Sequence, residues 1–258
     1  MNLKGKTILI TGGGSGIGLE AASQFLEIGA KVIITGRNRQ KLDAAKKAYP
    51  ALITIQSDAG SEGDAHALFN KVNQLGGIDI LYNNAGVGIP PKNLGIASED
   101  HVKGADYEME VNYLGVIRLN NLFMEMLKSR KESAIINTTS ILSMVPSLVE
   151  ATYSASKSAL AFYTLSLRAH LKIIGAKVKV FELLPPLVDT EMVADRDDKK
   201  ISTKQLVKGL INGLKKDQYT IRVGDSKLIY IFNRFFPKFT FGLINPNRLN
   251  ATLKSEQP

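Results

Sequence analysis

The chain has no cysteine, which excludes disulfides, thiolate nucleophiles and cysteine-ligated metals together and fits a reducing compartment. Histidine is scarce: His66, His101 and His170 are scattered without metal-ligand spacing. Solvated helix positions account for all three, and no metal is expected. No apolar run approaches the roughly 18 residues of a membrane span. The opening stretch, MNLKGKTILITGG, runs into a glycine loop and shows no cleavage site, so a cytoplasmic location is expected. Acids are missing from one region. Residues 199–258 hold 12 basic side chains against Asp217, Asp225 and Glu256, while residues 1–198 hold 21 of each sign. The whole net charge of +9 therefore lies in the last quarter of the chain. A uniformly basic surface would point to nucleic acid; this asymmetry points to something local to the C-terminus, and no nucleic-acid partner is expected. There is also no fixed-period repeat, low-complexity tract or linker, so residues 1–258 read as a single domain.

What is present is an alternation. Short runs rich in Ile and Val, apolar on both strand faces, occur at 7–11, 31–35, 52–56, 78–83, 134–139, 177–184 and 219–223. Helical patterns lie between them near 17–29, 38–48, 61–75, 99–129, 151–174 and 203–216. Strands of that kind are buried under helices on each side, so the pattern predicts an α/β fold: three layers around a doubly wound, mostly parallel, seven-stranded sheet. Residues 191–204 are polar, interrupt the alternation and read as a mobile insertion.

The first run leads into TGGGSGIG, residues 11–18, and then into a helix. Glycines let a backbone approach a ligand closely, and the helix that follows offers unpaired N–H groups to a pyrophosphate. The spacing is T-G-x-x-x-G-x-G, formed by Thr11, Gly12, Gly16 and Gly18, with Ser15 and Ile17 inside it. After the second run, where dinucleotide enzymes place an acid for the ribose 2′-hydroxyl, the chain has Gly36 and Arg37, with Arg39 next. A guanidinium can hold a 2′-phosphate with two hydrogen bonds, so NADP(H) is favoured over NAD(H).

Further on, TYSASKSALAFY carries apolar residues at Ala155, Ala159, Phe162 and Leu165, a helical recurrence. On that helix Tyr153 and Lys157 share one face, with Cβ atoms about 5–6 Å apart. Alone this is an ordinary surface pair. In company with TGGGSGIG, SDAG (57–60), NNAG (83–86), VNYLG (111–115), NTTS (137–140) and PPLVDT (185–190), the chain resembles the tyrosine-dependent, single-domain branch of the short-chain dehydrogenases/reductases, over residues 5 to about 224. The resemblance implies a Rossmann-type domain, a core at 5–224 with an extension at 225–258, and a homodimer or homotetramer. It implies Tyr153 as general acid/base toward a carbonyl or alcohol, Lys157 lowering the phenol's pKa and holding the nicotinamide ribose, Ser140 polarising the substrate oxygen, and Asn112 supporting a water relay from Lys157. It further implies cofactor contacts from Asp58 and Ala59 at the adenine, Asn84, Ala85 and Gly86 beside its ribose, and Pro185, Val188 and Thr190 near the carboxamide and phosphates. One departure is Pro185-Pro186, where the family usually has Pro-Gly; a second proline stiffens this wall and removes an N–H.

Residues 226–246, SKLIYIFNRFFPKFTFGLINP, interleave six aromatics with Lys227, Arg234 and Lys238, and Pro237 should break or kink any helix there. A lid over an apolar substrate, a subunit interface, or a peripheral contact with anionic lipid all fit this composition. The tail resembles a bacterial branch named after the D-alanyl-lipoteichoic-acid operon. Together these readings describe an NADPH-dependent oxidoreductase acting on a small, apolar carbonyl or alcohol. The alternatives are a catalytically silent NADP(H)-binding regulator and a membrane-binding module built on the tail.

Overall fold

The Ile- and Val-rich runs become strands because each can bury both faces. In the computed structural model, which describes residues 1–194 and 198–254, these are β1 Thr7–Ile10, β2 Lys31–Gly36, β3 Ile53–Gln56, β4 Ile80–Asn83, β5 Ser133–Thr138, β6 Val178–Leu184 and β7 Thr220–Arg222. They form one sheet in the order β3-β2-β1-β4-β5-β6-β7. The expected mostly parallel sheet is parallel at every pairing.

Helices α1 Gly16–Glu27, α2 Arg39–Ala48, α3 Glu62–Gln74, α4 Glu99–Met109, α5 Gly115–Lys128, α6 Ala151–Ile173 and α7 Thr203–Lys215 follow in chain order. The two-residue period of a strand divides its side chains between two cores. Ile8 and Ile10 of β1 pack with Phe25 of α1 and Leu210 of α7. Leu9, between them, packs on the other face with Leu68 of α3 and Phe123 of α5. Because β1 is flanked by β2 on one side and β4 on the other, the sheet reverses its winding there, and a crevice opens beyond the carboxyl ends of these strands.

Three local features depart from a simple reading of the period. The helical pattern at 99–129 is divided by a π-helical turn, Glu110–Leu114, which carries Asn112. The stripe Ala155, Phe162, Leu165 is the outer face of α6, with Phe162 74% and Leu165 59% exposed, while Ser154, Ser156, Lys157, Leu160 and Thr164 are buried. The polar stretch at 191–204 is shorter as an insertion than its composition suggests. Ile201 bridges Val188, the Ser202 side chain caps α7, and only Asp195–Asp197 lie outside the described residues.

The tail forms two helices, α8 Ser226–Phe235 and α9 Pro237–Ile244. Pro237 does break the helix, and it opens the next one at a first-turn position where its missing N–H costs nothing. Among the described residues no helix is long and apolar enough to cross a membrane.

Candidate active site

The glycine turn is built by close packing from below. Thr11 Oγ1 accepts from the backbone N–H of Asn84 and of Ala85, each at 3.0 Å, and Asn84 Nδ2 donates to the Thr11 carbonyl at 3.1 Å. These bonds join the end of β1 to the end of β4. Gly12 has φ +64°, and a Cβ there would lie 2.9 Å from Ala85 Cα. A Cβ on Gly18 would lie 2.3 Å from the Gly12 carbonyl oxygen. Thr11 and Gly18 thus shape the turn from beneath, and neither lines the cleft above it. Gly12, Ser15, Gly16 and Ile17 do.

Ser15 stands at the α1 N-cap but makes no side-chain capping bond. The caps of α2, α3 and α7, by contrast, are closed by Asn38, Ser61 and Ser202. The first-turn N–H groups of α1 are left uncapped over the cleft, as an anion site requires. Bare glycine backbone, an uncapped helix start and a cavity of about 980 Å³, at the upper end of small-molecule sites, together fit a dinucleotide.

At the end of β2, Arg37 lines the cleft; its guanidinium donates to the Tyr107 hydroxyl and lies 5.8 Å from that ring's centroid. Arg39 is turned away, bonded to Asp43 at 2.9 Å. Lys41 faces the cleft instead, with its Cβ 3.4 Å from a would-be Cβ of Gly14, and it pairs with Glu191 across the opening. Sequence reasoning missed both Lys41 and Tyr107. Lys41 had a signal, since it lies one helical turn after Arg37; Tyr107, on a distant helix, had none. Asp58 and Ala59 line the same end. Asp58 Oδ1 accepts from Gly60 N at 2.9 Å, which fixes that turn.

At the other end the cleft wall carries Asn84, Ala85, Gly86, Ser140, Tyr153, Lys157, Pro185, Val188 and Thr190. Lys157 is only 3% exposed, and its ammonium donates to the Thr138 carbonyl at 3.0 Å. Its Nζ lies 5.6 Å from the centroid of the Tyr153 ring. Burial pulls the Lys157 pKa down to about 8, because a charged amine loses hydration there. Ser140 Oγ accepts from Leu142 N at 3.1 Å, which leaves the hydroxyl proton free to point elsewhere.

Asn112 is fully buried and does not line the cleft. Its carboxamide accepts from Val87 N and donates to Val87 O, both at 2.9 Å, and donates to Ser156 Oγ at 3.0 Å. Gly86 brings it near the lysine: a Cβ there would sit 3.3 Å from Lys157 Nζ and 3.4 Å from Asn112 Oδ1. The histidines stand apart. His66 and His170 are exposed. His101 is not the solvated residue expected, since its Nε2 is buried without a hydrogen-bond partner among the described residues.

The comparisons with known proteins agree with this geometry. Residues 6–201 match the family model described as short chain dehydrogenase. The uncharacterized oxidoreductase DltE of Bacillus subtilis (strain 168) is 34% identical over 234 residues, covering 86% of this chain and 89% of that protein. This agrees with the expected likeness to the branch named after that operon. A short chain dehydrogenase from Burkholderia cenocepacia J2315, solved in complex with NADP, superposes with a TM-score of 0.83 at 27% identity, over 95% of this chain and 99% of the other. The 3-ketoacyl-(acyl-carrier-protein) reductase of Brucella melitensis, solved with NADH, does so with 0.75 at 27% identity, over 82% and 91%. A glycine turn under an uncapped helix, a buried lysine beside a tyrosine on one helix, and a family match over most of the chain lead to one statement: this chain belongs to the short-chain dehydrogenase/reductase family.

Proposed function

We propose that this oxidoreductase prefers NADPH and reduces a ketone or aldehyde carried on an apolar molecule, or oxidises the corresponding alcohol. The observation that carries the reading is the buried Lys157 ammonium, 5.6 Å from the Tyr153 ring, on the wall of the cleft whose floor is the glycine turn. A fixed cation beside a phenol favours its anionic form, against the cost of burying that charge, and so makes its proton easier to give. Bound NADPH would supply the hydride. Gly12, Ser15, Gly16 and Ile17 would hold its pyrophosphate, Arg37 with Lys41 its 2′-phosphate, Asp58 and Ala59 its adenine, and Pro185, Val188 and Thr190 its other end. Arg37 just past β2 and Lys41 in the first turn of α2, with no acid in the sequence between them, support NADPH over NADH.

In the reductive direction Tyr153 donates its proton to the carbonyl oxygen, and Ser140 donates a hydrogen bond to the same oxygen and fixes its position. Lys157 holds its positive charge beside the phenol as it becomes anionic. Asn112, tied to both main-chain groups of Val87, positions the segment on which Gly86 sits and keeps the space beside Lys157 Nζ open to a proton-carrying water. Ile229, Leu243 and Ile244 of the tail join the cleft wall, which supports an apolar substrate. The outward stripe of α6 with Phe162 and Leu165 supports self-association as a homodimer or homotetramer.

The test is a paired titration of NADPH and NADH by nicotinamide fluorescence, followed by NADPH-oxidation assays over apolar ketones and aldehydes. NADPH should bind at least about tenfold more tightly, a difference of about 1.4 kcal/mol. Tyr153→Phe should then lower turnover on the order of 10²–10⁴-fold with NADPH affinity unchanged. NADPH binding without turnover of any carbonyl would instead favour the silent regulator.

A further inference from the structure

The tail has two faces with different tasks. Its inner side is used: Ile229 is buried, Asn233 Nδ2 donates to the Met144 carbonyl at 3.1 Å, Asn245 bonds Pro146 O and Leu148 N, and Leu243 and Ile244 wall the cleft. Its outer side is largely exposed among the described residues, with Arg222 over the Tyr230 ring. Between residues 228 and 241, eight large apolar side chains are at least 38% exposed, among them Phe235 at 67% and Phe239 at 61%. On the helical period of α8, Leu228, Ile231 and Phe235 form one stripe opposite Ile229 and Asn233, and Lys227 and Arg234 fall along its flank. Phe232 and Phe239 meet edge to face at 6.1 Å, joining the stripe of α8 to α9, where Lys238 stands. No acid occurs from 226 to 254.

We propose that this outer face docks on an anionic lipid bilayer and sets the mouth of the cleft at the membrane surface. Exposed aromatics flanked by cations, with no carboxylate to repel lipid phosphate, are the composition of an interfacial segment. Charge decides between a bilayer and a second copy of this chain on the same face. A self-paired face would bring Lys227, Arg234 and Lys238 against their own copies with no acid between them. The tail walls the cleft with its inner residues, so docking by its outer residues places the substrate entrance where an acyl-chain carbonyl compound resides. That second step rests on the reductase reading; the docking itself does not.

The experiment is co-sedimentation of the full chain with vesicles of phosphatidylcholine alone and of an equimolar phosphatidylcholine–phosphatidylglycerol mixture. Binding is expected to the mixed vesicles and to weaken as salt is raised. The triple variant Lys227→Glu, Arg234→Glu, Lys238→Glu should bind them at least about tenfold less. Ile231→Ser with Phe235→Ser should also weaken binding. None of these five residues lines the cleft, so NADPH binding and reduction of a water-soluble aldehyde should stay at the unsubstituted level. Equal or absent binding to both vesicle types overturns the docking, as does a dimer that the Ile231/Phe235 variant converts to monomer while no vesicles are bound. Vesicle binding without NADPH binding removes the reductase reading and leaves the docking standing.

Discussion

Replacing Lys157 by methionine should abolish turnover and yet make the protein without cofactor more stable at neutral pH. The side chain is 3% exposed, and its pKa is drawn down to about 8 from the ordinary 10.5 by loss of hydration. A displacement of that size sets the charged form against the fold by about 3 kcal/mol at pH 7. Methionine keeps the unbranched stem and fills similar space. It gives up the bond to the Thr138 carbonyl, worth about 1 kcal/mol. The net gain is about 2 kcal/mol, or roughly 4–8 °C in Tm for a domain of this size. The pH dependence carries the stronger test. Because the folded-state pKa lies below that of the unfolded chain, the unfolded chain binds more protons between about pH 8 and 10.5, and the unsubstituted protein gains stability as pH rises through that window. The advantage of Lys157→Met should therefore shrink above pH 8, vanish near pH 10 and reverse by about 0.6 kcal/mol near pH 10.5. Urea midpoints of both proteins without NADPH at pH 7 and pH 10 would measure it. A variant no more stable at pH 7, or a gap independent of pH, would refute the desolvation argument.

Gly18→Ala should be far more damaging than its size suggests. Its Cβ would sit 2.3 Å from a backbone oxygen, that of Gly12, so the turn itself must shift; about 1–3 kcal/mol of stability should be lost and NADPH affinity with it, as read by fluorescence titration. Arg37→Ala and Lys41→Ala should each weaken NADPH about 10–100-fold, the loss of one charge-assisted bond of about 1.5–3 kcal/mol, and leave NADH unchanged in the same titration. Arg39→Ala, with its guanidinium on Asp43, should change neither. Thr164→Val should act on the fold alone. Thr164 Oγ1 accepts from Asn137 Nδ2 at 2.9 Å deep beneath the site, so the variant should lower the unfolding free energy measured in urea by about 1–3 kcal/mol for an unpaired buried amide, with NADPH affinity preserved.

The parts of this protein legible in its sequence are those whose cause is local. Strands buried on both faces announce themselves as Ile- and Val-rich runs, and the glycine turn does so because only backbone without Cβ fits between Gly12 and Ala85. Many of the residues expected at the site line one cleft for the same reason: they sit just past strand ends, and a parallel sheet delivers all strand ends to one edge. What the sequence did not disclose depends on which distant group a side chain meets. Nothing local says that Tyr107 of α4 receives Arg37 of the β2 end, or that the pattern at 99–129 loosens into a π-helical turn where Asn112 grips both main-chain groups of Val87.

Helix α6 shows how strongly such distant partners can decide. By apolarity alone, Phe162 and Leu165 belong inside and Ser156, Lys157 and Thr164 outside. The fold does the opposite because each inward polar atom finds a partner: Lys157 the Thr138 carbonyl, Ser156 the Asn112 carboxamide, Thr164 the Asn137 amide. Those partners stand at the end of β5 or beside β4, at the edge that also forms the cleft. The polar face is therefore buried by the same strand ends that build the site, and the apolar face is left for another surface to cover. The tail repeats the arrangement on a smaller scale, with Asn233 and Asn245 turned in to main-chain partners and its phenylalanines turned out. Both elements turn hydrogen-bonding side chains inward to partners and leave large apolar side chains outside, so much of the apolar surface that composition would assign to a core is exposed here.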